Sequence, residues 1–379
     1  MHIGPIKRAQ LVTMIVLAFG VAACSTAASP GTGGTTKIAD AAKTHTFSWG
    51  EFKLAQRIID KAASGQALNV VINNQGVATP IFGTEQKIGT DRGCAANQAK
   101  LTIACRLTGP ASTDATAQLA ELETLLSSGQ VDCLGIESPT PDAFVDIINK
   151  YVAAGVPVFT QNTDVPNSNR FAFFALNERQ AGNANGVATA NLVKAKGYAI
   201  DTIGMGSGGP EAPWAQDRMG GFLAGYKTVY PDAKFAQEEK TGLPTGNKYT
   251  TEEVVSSVGP YLAGNPNVTL FFHTDQGVEG VGLVIKDKNL TGKVWTSGFN
   301  VSLQLLDLMD AGIILVTINQ GFDNQAEAAV NACVNYFTTG DTPADPLAYL
   351  QPIIITKDGG TGQQTSADAR THLKTVLGQ

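Results

Sequence analysis

Four cysteines in the body of the chain, Cys94, Cys105, Cys133 and Cys333, are the side chains best able to do covalent chemistry. No Cys-x-x-Cys pair or clustered histidine accompanies them, which argues against zinc. An even number in an exported chain points instead to two disulfides. Three pairings are possible and sequence does not choose among them. Cys94–Cys105 with Cys133–Cys333 is preferred because the first pair closes a short loop. A catalytic centre finds little support. The four histidines are His2, His45, His273 and His372, and the first two fall in the leader and the segment after it. Ser207 lies between Gly206 and Gly208, but Met205 stands where a nucleophile elbow needs glycine. Gly204–Gly209 satisfies G-x-G-x-x-G after an apolar run. However, Pro210 and Pro213 follow it, where a dinucleotide loop must open directly into a helix. The expectation is a protein that is not an enzyme and uses no cofactor or metal.

The chain begins like an exported one. Lys7 and Arg8 precede an apolar run from Leu11 to Val21, too short to span a bilayer comfortably, and Val21-Ala22-Ala23-Cys24 follows. A basic segment, a greasy segment and small residues make a secretory signal. The cysteine after them is similar to a bacterial lipobox. That resemblance implies cleavage after residue 23 and lipid on Cys24, so the protein would sit outside the cytoplasm, tethered to a membrane. Residues 24–45, rich in Ser, Thr, Ala and Gly, read as a flexible tether. The formal charge is −6, and losing Lys7 and Arg8 makes it more negative. Basic clusters are absent, which argues against nucleic acid. Roughly 330 residues remain, enough for two domains.

Strand and helix patterns alternate along this remainder. Leu68–Ile72 is a short continuous apolar run ending in Asn-Asn, the pattern of a buried parallel strand. Leu101–Cys105, Val131–Ile136 and Val156–Phe159 repeat it. Between them lie helices carrying Leu119, Leu122, Leu125 and Leu126, then Phe144, Ile147, Ile148 and Tyr151, on single stripes. The alternation restarts at Ala181 and runs to a strand at Pro352–Thr356. The fold class expected is α/β, with two doubly wound, Rossmann-like parallel sheets in tandem. In such open sheets ligands lie at the carboxyl ends of the strands, and both sheets can point those ends at one cleft.

From about residue 66 to 357 the chain resembles the type I periplasmic sugar-binding proteins, the ribose- and xylose-binding group that feeds ABC importers. The resemblance rests on Thr79-Pro80-Ile81-Phe82, Gly155-Val156-Pro157-Val158 with Thr160, and Ala215–Phe222. It also rests on Phe272-His273-Thr274-Asp275, Gly298-Phe299-Asn300 and Ile318-Asn319-Gln320, in order across both halves. It implies a three-segment hinge at residues 175–177, 320–322 and 350–352. The first lobe would then be 46–175 plus 322–349 and the second 176–321 plus 350–379. All four non-lipid cysteines would fall in the first lobe.

The same resemblance suggests a site. Aromatic faces cover the C–H surface of a polyhydroxyl ligand, and planar polar groups meet its hydroxyls, each of which donates and accepts. Phe82 and Trp214 are expected to face the ligand from opposite lobes, Trp214 on a Gly-rich loop. Asn162, Gln216, Asp275, Asn300 and Gln320 are expected to meet hydroxyls, with Asn74, Thr163, Arg218 and Thr274 as further members. The family usually has a charged group where Thr163 and Gln216 stand, aspartate where Asn300 stands and an aromatic where Ile81 stands. These departures favour a small neutral sugar, sugar alcohol or deoxysugar. The expected partner is an ABC permease, the expected state a monomer. The alternative is a ligand-sensing role for a chemoreceptor or sensor kinase, or capture of a quorum signal.

Overall fold

The alternating runs fold into two parallel sheets, each sandwiched by helices. The computed structural model describes residues 38–79, 83–236 and 250–379. The stretch read as a leader, Cys24, Ile81 and Phe82 lie outside the described residues.

The first half opens with a hairpin, β1 (Thr44–Phe47) and β2 (Gly50–Lys53), then α1 (Gln56–Ala63). There follow β3 (Leu68–Asn73), α2 (Glu85–Asn97), β4 (Ile103–Thr108), α3 (Ala115–Ser127), β5 (Cys133–Ile136), α4 (Pro141–Ala153), β6 (Val158–Gln161) and β7 (Ala172–Phe174). The second half runs α5 (Glu178–Lys196), β8 (Thr202–Gly206), α6 (Pro213–Lys227), β9 (Lys234–Phe235), α7 (Thr251–Gly264), β10 (Val268–His273), α8 (Gly277–Asp287), β11 (Trp295–Phe299), α9 (Leu303–Asp310) and β12 (Ile314–Asn319). The chain then returns through α10 (Phe322–Thr339) and ends with β13 (Ile353–Thr356), β14 (Gln363–Thr365) and α11 (Ser366–Leu377).

The first sheet has the order β4-β3-β5-β6-β7, all parallel. The second contains the same permutation, β9-β8-β10-β11-β12, extended by β13, antiparallel to β12, and by β14. In each sheet the strand order reverses once, at β3/β5 and at β8/β10. Loops leaving the two central strands there diverge to opposite faces and open a crevice.

Each half has its own core. Val70, Ile72, Leu134, Ile148 and Phe159 pack with Val330 and Phe337 of α10, so the late helix returns to the first core. Beneath the second sheet Phe271, Val281 and Leu306 form one layer, with Phe222, Phe272 and Ile318 on the other face. Ile38 and Ala41 are fully buried in the first core and β1 begins at Thr44. The C-terminal end of the stretch read as tether, residues 38–45, is therefore part of the folded body. The chain passes between the halves near residues 175–177, 320–322 and 350–353. The first and last of these passages run side by side, with the Leu350 N–H donating to the Ala175 carbonyl at 2.8 Å.

Cys94 bonds Cys105, joining α2 to β4, and Cys133 bonds Cys333, joining β5 to α10. Glycine sets the closeness of the α5–α6 pair: a Cβ on Gly182 would sit 2.2 Å from the Arg218 carbonyl oxygen, and one on Gly221 2.1 Å from that of Arg179. This approach places Glu178 of α5 beside Arg218 of α6.

Candidate functional site

The carboxyl ends of both sheets face one cavity of about 940 Å3, lined from both halves. From the first half come Gln75 after β3, Asn162, Thr163 and Asp164 after β6, and Phe173 of β7. From the second come Trp214 and Arg218 of α6, Asp275 after β10 and Asn300 after β11. Gln320 and Phe322 line it from the second passage, and Tyr349 from the third.

Asn162 and Asn300 are the first residues beyond β6 and β11, and both are left-handed, with φ of 58° and 74°. Asparagine tolerates this conformation better than most side chains. The kink ends each strand and turns the residue onto the cavity wall. Among the described non-glycine residues only Asn289 shares it.

Arg218 organises the second wall. Its Nε and Nη2 donate to the Glu178 carboxylate at 2.6 and 3.0 Å, Nη2 also to Gln320 Oε1 at 2.8 Å, and Nη1 to the Thr274 carbonyl at 2.9 Å. The guanidinium lies 4.2 Å from the Phe299 ring centre and 5.0 Å from that of Trp214. Gln320 in turn donates to Asn300 Oδ1 at 2.6 Å. A rigid relay thus runs from α5 through α6 and the hinge passage to β11. The one cation lining the cavity, among the described residues, is neutralised by a carboxylate beside it.

Asp275 meets the Gly208 N–H with Oδ2 at 2.8 Å and the Gly277 N–H with Oδ1 at 3.1 Å, and lies 3.2 Å from His273 Nδ1. Burial works against its charge, but the imidazole and the backbone donors outweigh burial and hold the carboxyl down at about 2. Asp164 is clamped by one edge of the Arg170 guanidinium, Nε donating to Oδ1 and Nη2 to Oδ2.

Of the residues expected from sequence, Asn162, Thr163, Trp214, Arg218, Asp275, Asn300 and Gln320 meet around this cavity. Asn74 and Thr274 lie under it, fully buried: Asn74 Oδ1 accepts from the Gly76 N–H, and the Thr274 hydroxyl donates to Ser207. Gln216 is not on the lining. Because α6 begins at Pro213, a residue well suited to the first helical position, Trp214, Asp217 and Arg218 share one face and Gln216 points away from it. Trp214 is accordingly in the first turn of a helix rather than on a loop.

A family model for the periplasmic binding protein domain matches residues 71–341. The chain belongs to the periplasmic binding protein family. No curated protein matches it. Solved structures share its fold at low identity. A sugar ABC transporter sugar-binding protein from Bacillus halodurans is 21% identical, with a TM-score of 0.63 over 77% of this chain and 98% of that one. GanP, a glucose-galactose binding protein from Geobacillus stearothermophilus, is 20% identical, with a TM-score of 0.62 over 77% and 98%. A solute-binding protein from Burkholderia graminis in complex with D-arabinose is 21% identical, with a TM-score of 0.62 over 78% and 96%.

Sequence reasoning missed several parts of this binding protein's cavity. Glu178 was hidden as the first residue of a helix, where an acid reads simply as complementing the helix dipole. Phe173 and Tyr349 meet edge to face at 6.4 Å only because the first and third passages run together. Glu137, immediately after β5, is fully buried, with the amides of Gln75, Gln86 and Asn162 donating to its carboxylate. The signal available was a carboxylate directly following a buried strand at the reversal of strand order.

Proposed function

We propose that this binding protein captures a neutral sugar or sugar alcohol outside the cytoplasm and delivers it to an ABC permease. The observation that carries the reading is the cavity itself. Trp214, Phe173 and Tyr349 offer ring faces, while Asn162, Asn300 and Gln75 bring planar amides from the ends of both sheets. Such a lining suits a guest with C–H faces and hydroxyl edges. The volume falls within the usual range for small-molecule sites. Arg218 is already paired with Glu178, so the lining holds no spare cation for a phosphate or carboxylate. Three fold relatives named for sugar binding or solved with D-arabinose lend support.

The two halves act as lobes, 38–175 with 322–349 and 176–321 with 350–379, that close on the guest about the three passages. Cys24, once lipidated, tethers the protein to the membrane face. The protein works as a monomer. Among the described residues the exposed large apolar side chains are Leu347 and Tyr349, too small a patch for a stable interface.

A thermal-shift screen over pentoses, hexoses, deoxysugars and alditols tests the reading, because a ligand bound by the folded form alone raises the melting temperature. At least one member should raise it, and Trp214→Ala should abolish that rise. A panel with no effect on the wild-type protein would remove the sugar assignment.

A further inference from the structure

Glu137 lies at the reversal point of the first sheet, one residue beyond β5, without access to solvent. Its carboxylate can only accept when ionised. Gln75 Nε2 donates to Oε1 at 2.7 Å and Asn162 Nδ2 donates to the same oxygen, while Gln86 Nε2 donates to Oε2. Gln86 Oε1 then accepts from Gln161 Nε2 at 2.7 Å. From α3, Gln118 Nε2 donates to the Glu137 carbonyl at 2.7 Å and to Asn73 Oδ1 at 2.8 Å. The groups that donate to this carboxylate, from beyond the ends of β3 and β6 and from α2, are therefore amides. On the same elements, Glu85 accepts from the Phe322 N–H, and beyond β6 Asp164 pairs with Arg170.

An amide can present either end to a ligand, and its neighbours decide which. Here an obligate acceptor draws in the NH2 groups of Gln75 and Asn162, two residues that line the cavity. Their carbonyl oxygens are the ends turned away from it. On the opposite wall Asn300 is oriented the other way, because its Oδ1 accepts from Gln320.

We infer that Glu137 is a positioning residue that polarises the cleft, making the first-lobe wall accept and the Asn300 wall donate. The inference rests on reading the cleft as the ligand site. It adds a selection rule: the guest must present free hydroxyl hydrogens to Gln75 and Asn162. A sugar deoxygenated or O-methylated on that edge is refused, even where its volume fits. Burial pushes the Glu137 carboxyl up to about 7, against the pull of the three amides. Protonation gives Glu137 an O–H that must donate to one of these amides and reverse it. The polarity of the wall then weakens as the medium turns acidic.

The ligand-free protein provides the first test. Across pH 5 to 9, the Glu137 carboxyl carbon and the side-chain N–H signals of Gln75, Gln86 and Asn162 are followed by NMR. All should shift with one near-neutral midpoint, and the amide shifts should vanish in Glu137→Gln. Amide signals that stay put while Glu137 titrates would overturn the proposal. Calorimetry with D-glucose, D-galactose and D-arabinose follows. For a sugar the wild type binds at pH 8, Glu137→Gln should bind at least tenfold more weakly, and lowering the pH to 6 should weaken the wild type alone. Equal affinity of both proteins at both pH values would also overturn it. Should none of the three bind, the sugar reading is what suffers, and the NMR titration still judges Glu137.

Discussion

At the residue scale the second wall of the cleft is organised by one buried guanidinium. Arg218 is 4% exposed and holds Glu178, the Thr274 carbonyl and Gln320 at once. Removing it leaves the Glu178 carboxylate, whose side chain is 19% exposed, without its partner. Breaking a buried pair from one side costs about 3–5 kcal/mol, and the residual exposure of Glu178 places Arg218→Ala near the lower end. Arg218→Lys should recover less than half of that loss, since an ammonium lacks the planar fork that spans three partners. Urea midpoints of the three proteins measure this; a lysine variant as stable as the wild type would show that charge alone suffices. Gln320→Ala should weaken sugar binding by about 1–3 kcal/mol, because it removes the amide that orients Asn300 through Oδ1 and one of the acceptors of Arg218 Nη2. Calorimetry reads this directly, and unchanged affinity would remove Gln320 from the site.

At the scale of elements, helix pairs hold these residues, and they pack through small or polar faces. On α5, Gly182 touches the Arg218 carbonyl so closely that Gly182→Ala must push α6 away. Overpacking of this kind costs about 1–3 kcal/mol, and denaturant unfolding should show a loss in that range together with weaker ligand binding. On α2 the buried side chains include Glu85, Gln86, Thr90 and Asn97 with Gly89 and Gly93, which pack against α10. Glu85 is 2% exposed. Burial first, and then the Asp323 carboxylate, push it up to about 8, against the hydrogen bond from the Phe322 N–H. A carboxyl raised in the folded state favours folding while protonated, so stability is lost as pH rises from about 4.5 toward 8. Glu85→Gln should flatten this loss when urea midpoints are compared across that window, and parallel curves for variant and wild type would count against the assignment. These same elements explain what could be read beforehand. β3 was legible as a continuous apolar run closed by Asn73-Asn74, and α4 as a stripe of Phe144, Ile147, Ile148 and Tyr151. The helix α2 was not, because its buried face has no apolar period to detect. Gln216 was placed on the cavity by the family resemblance, with Trp214 read as part of a Gly-rich loop. The true start of α6 at Pro213 rotates the assignment by the few residues that decide a face.

At the scale of the molecule, the same strand permutation occurs in both halves and brings two reversal points to one cleft. Covalent bonds stiffen only one side of it. Cys133–Cys333 spans 200 residues of sequence and Cys94–Cys105 spans 11, and both pairs lie in or against the first core. In the chain-entropy account the long loop contributes roughly 5 kcal/mol and the short one roughly 3 kcal/mol. Cys133→Ala with Cys333→Ala should therefore cost more stability than Cys94→Ala with Cys105→Ala. Neither pair bridges the two sheets, so neither should matter for closure itself. A ligand that touches both walls favours the state in which they approach, by as much as its affinities for the two states differ. Small-angle scattering should then show the radius of gyration falling when a bound sugar is added, equally for the wild type and for the variant lacking Cys133 and Cys333. A radius that stays constant at saturating sugar would mean that the cleft binds without closing. The three chain passages would then be a rigid connection rather than a hinge.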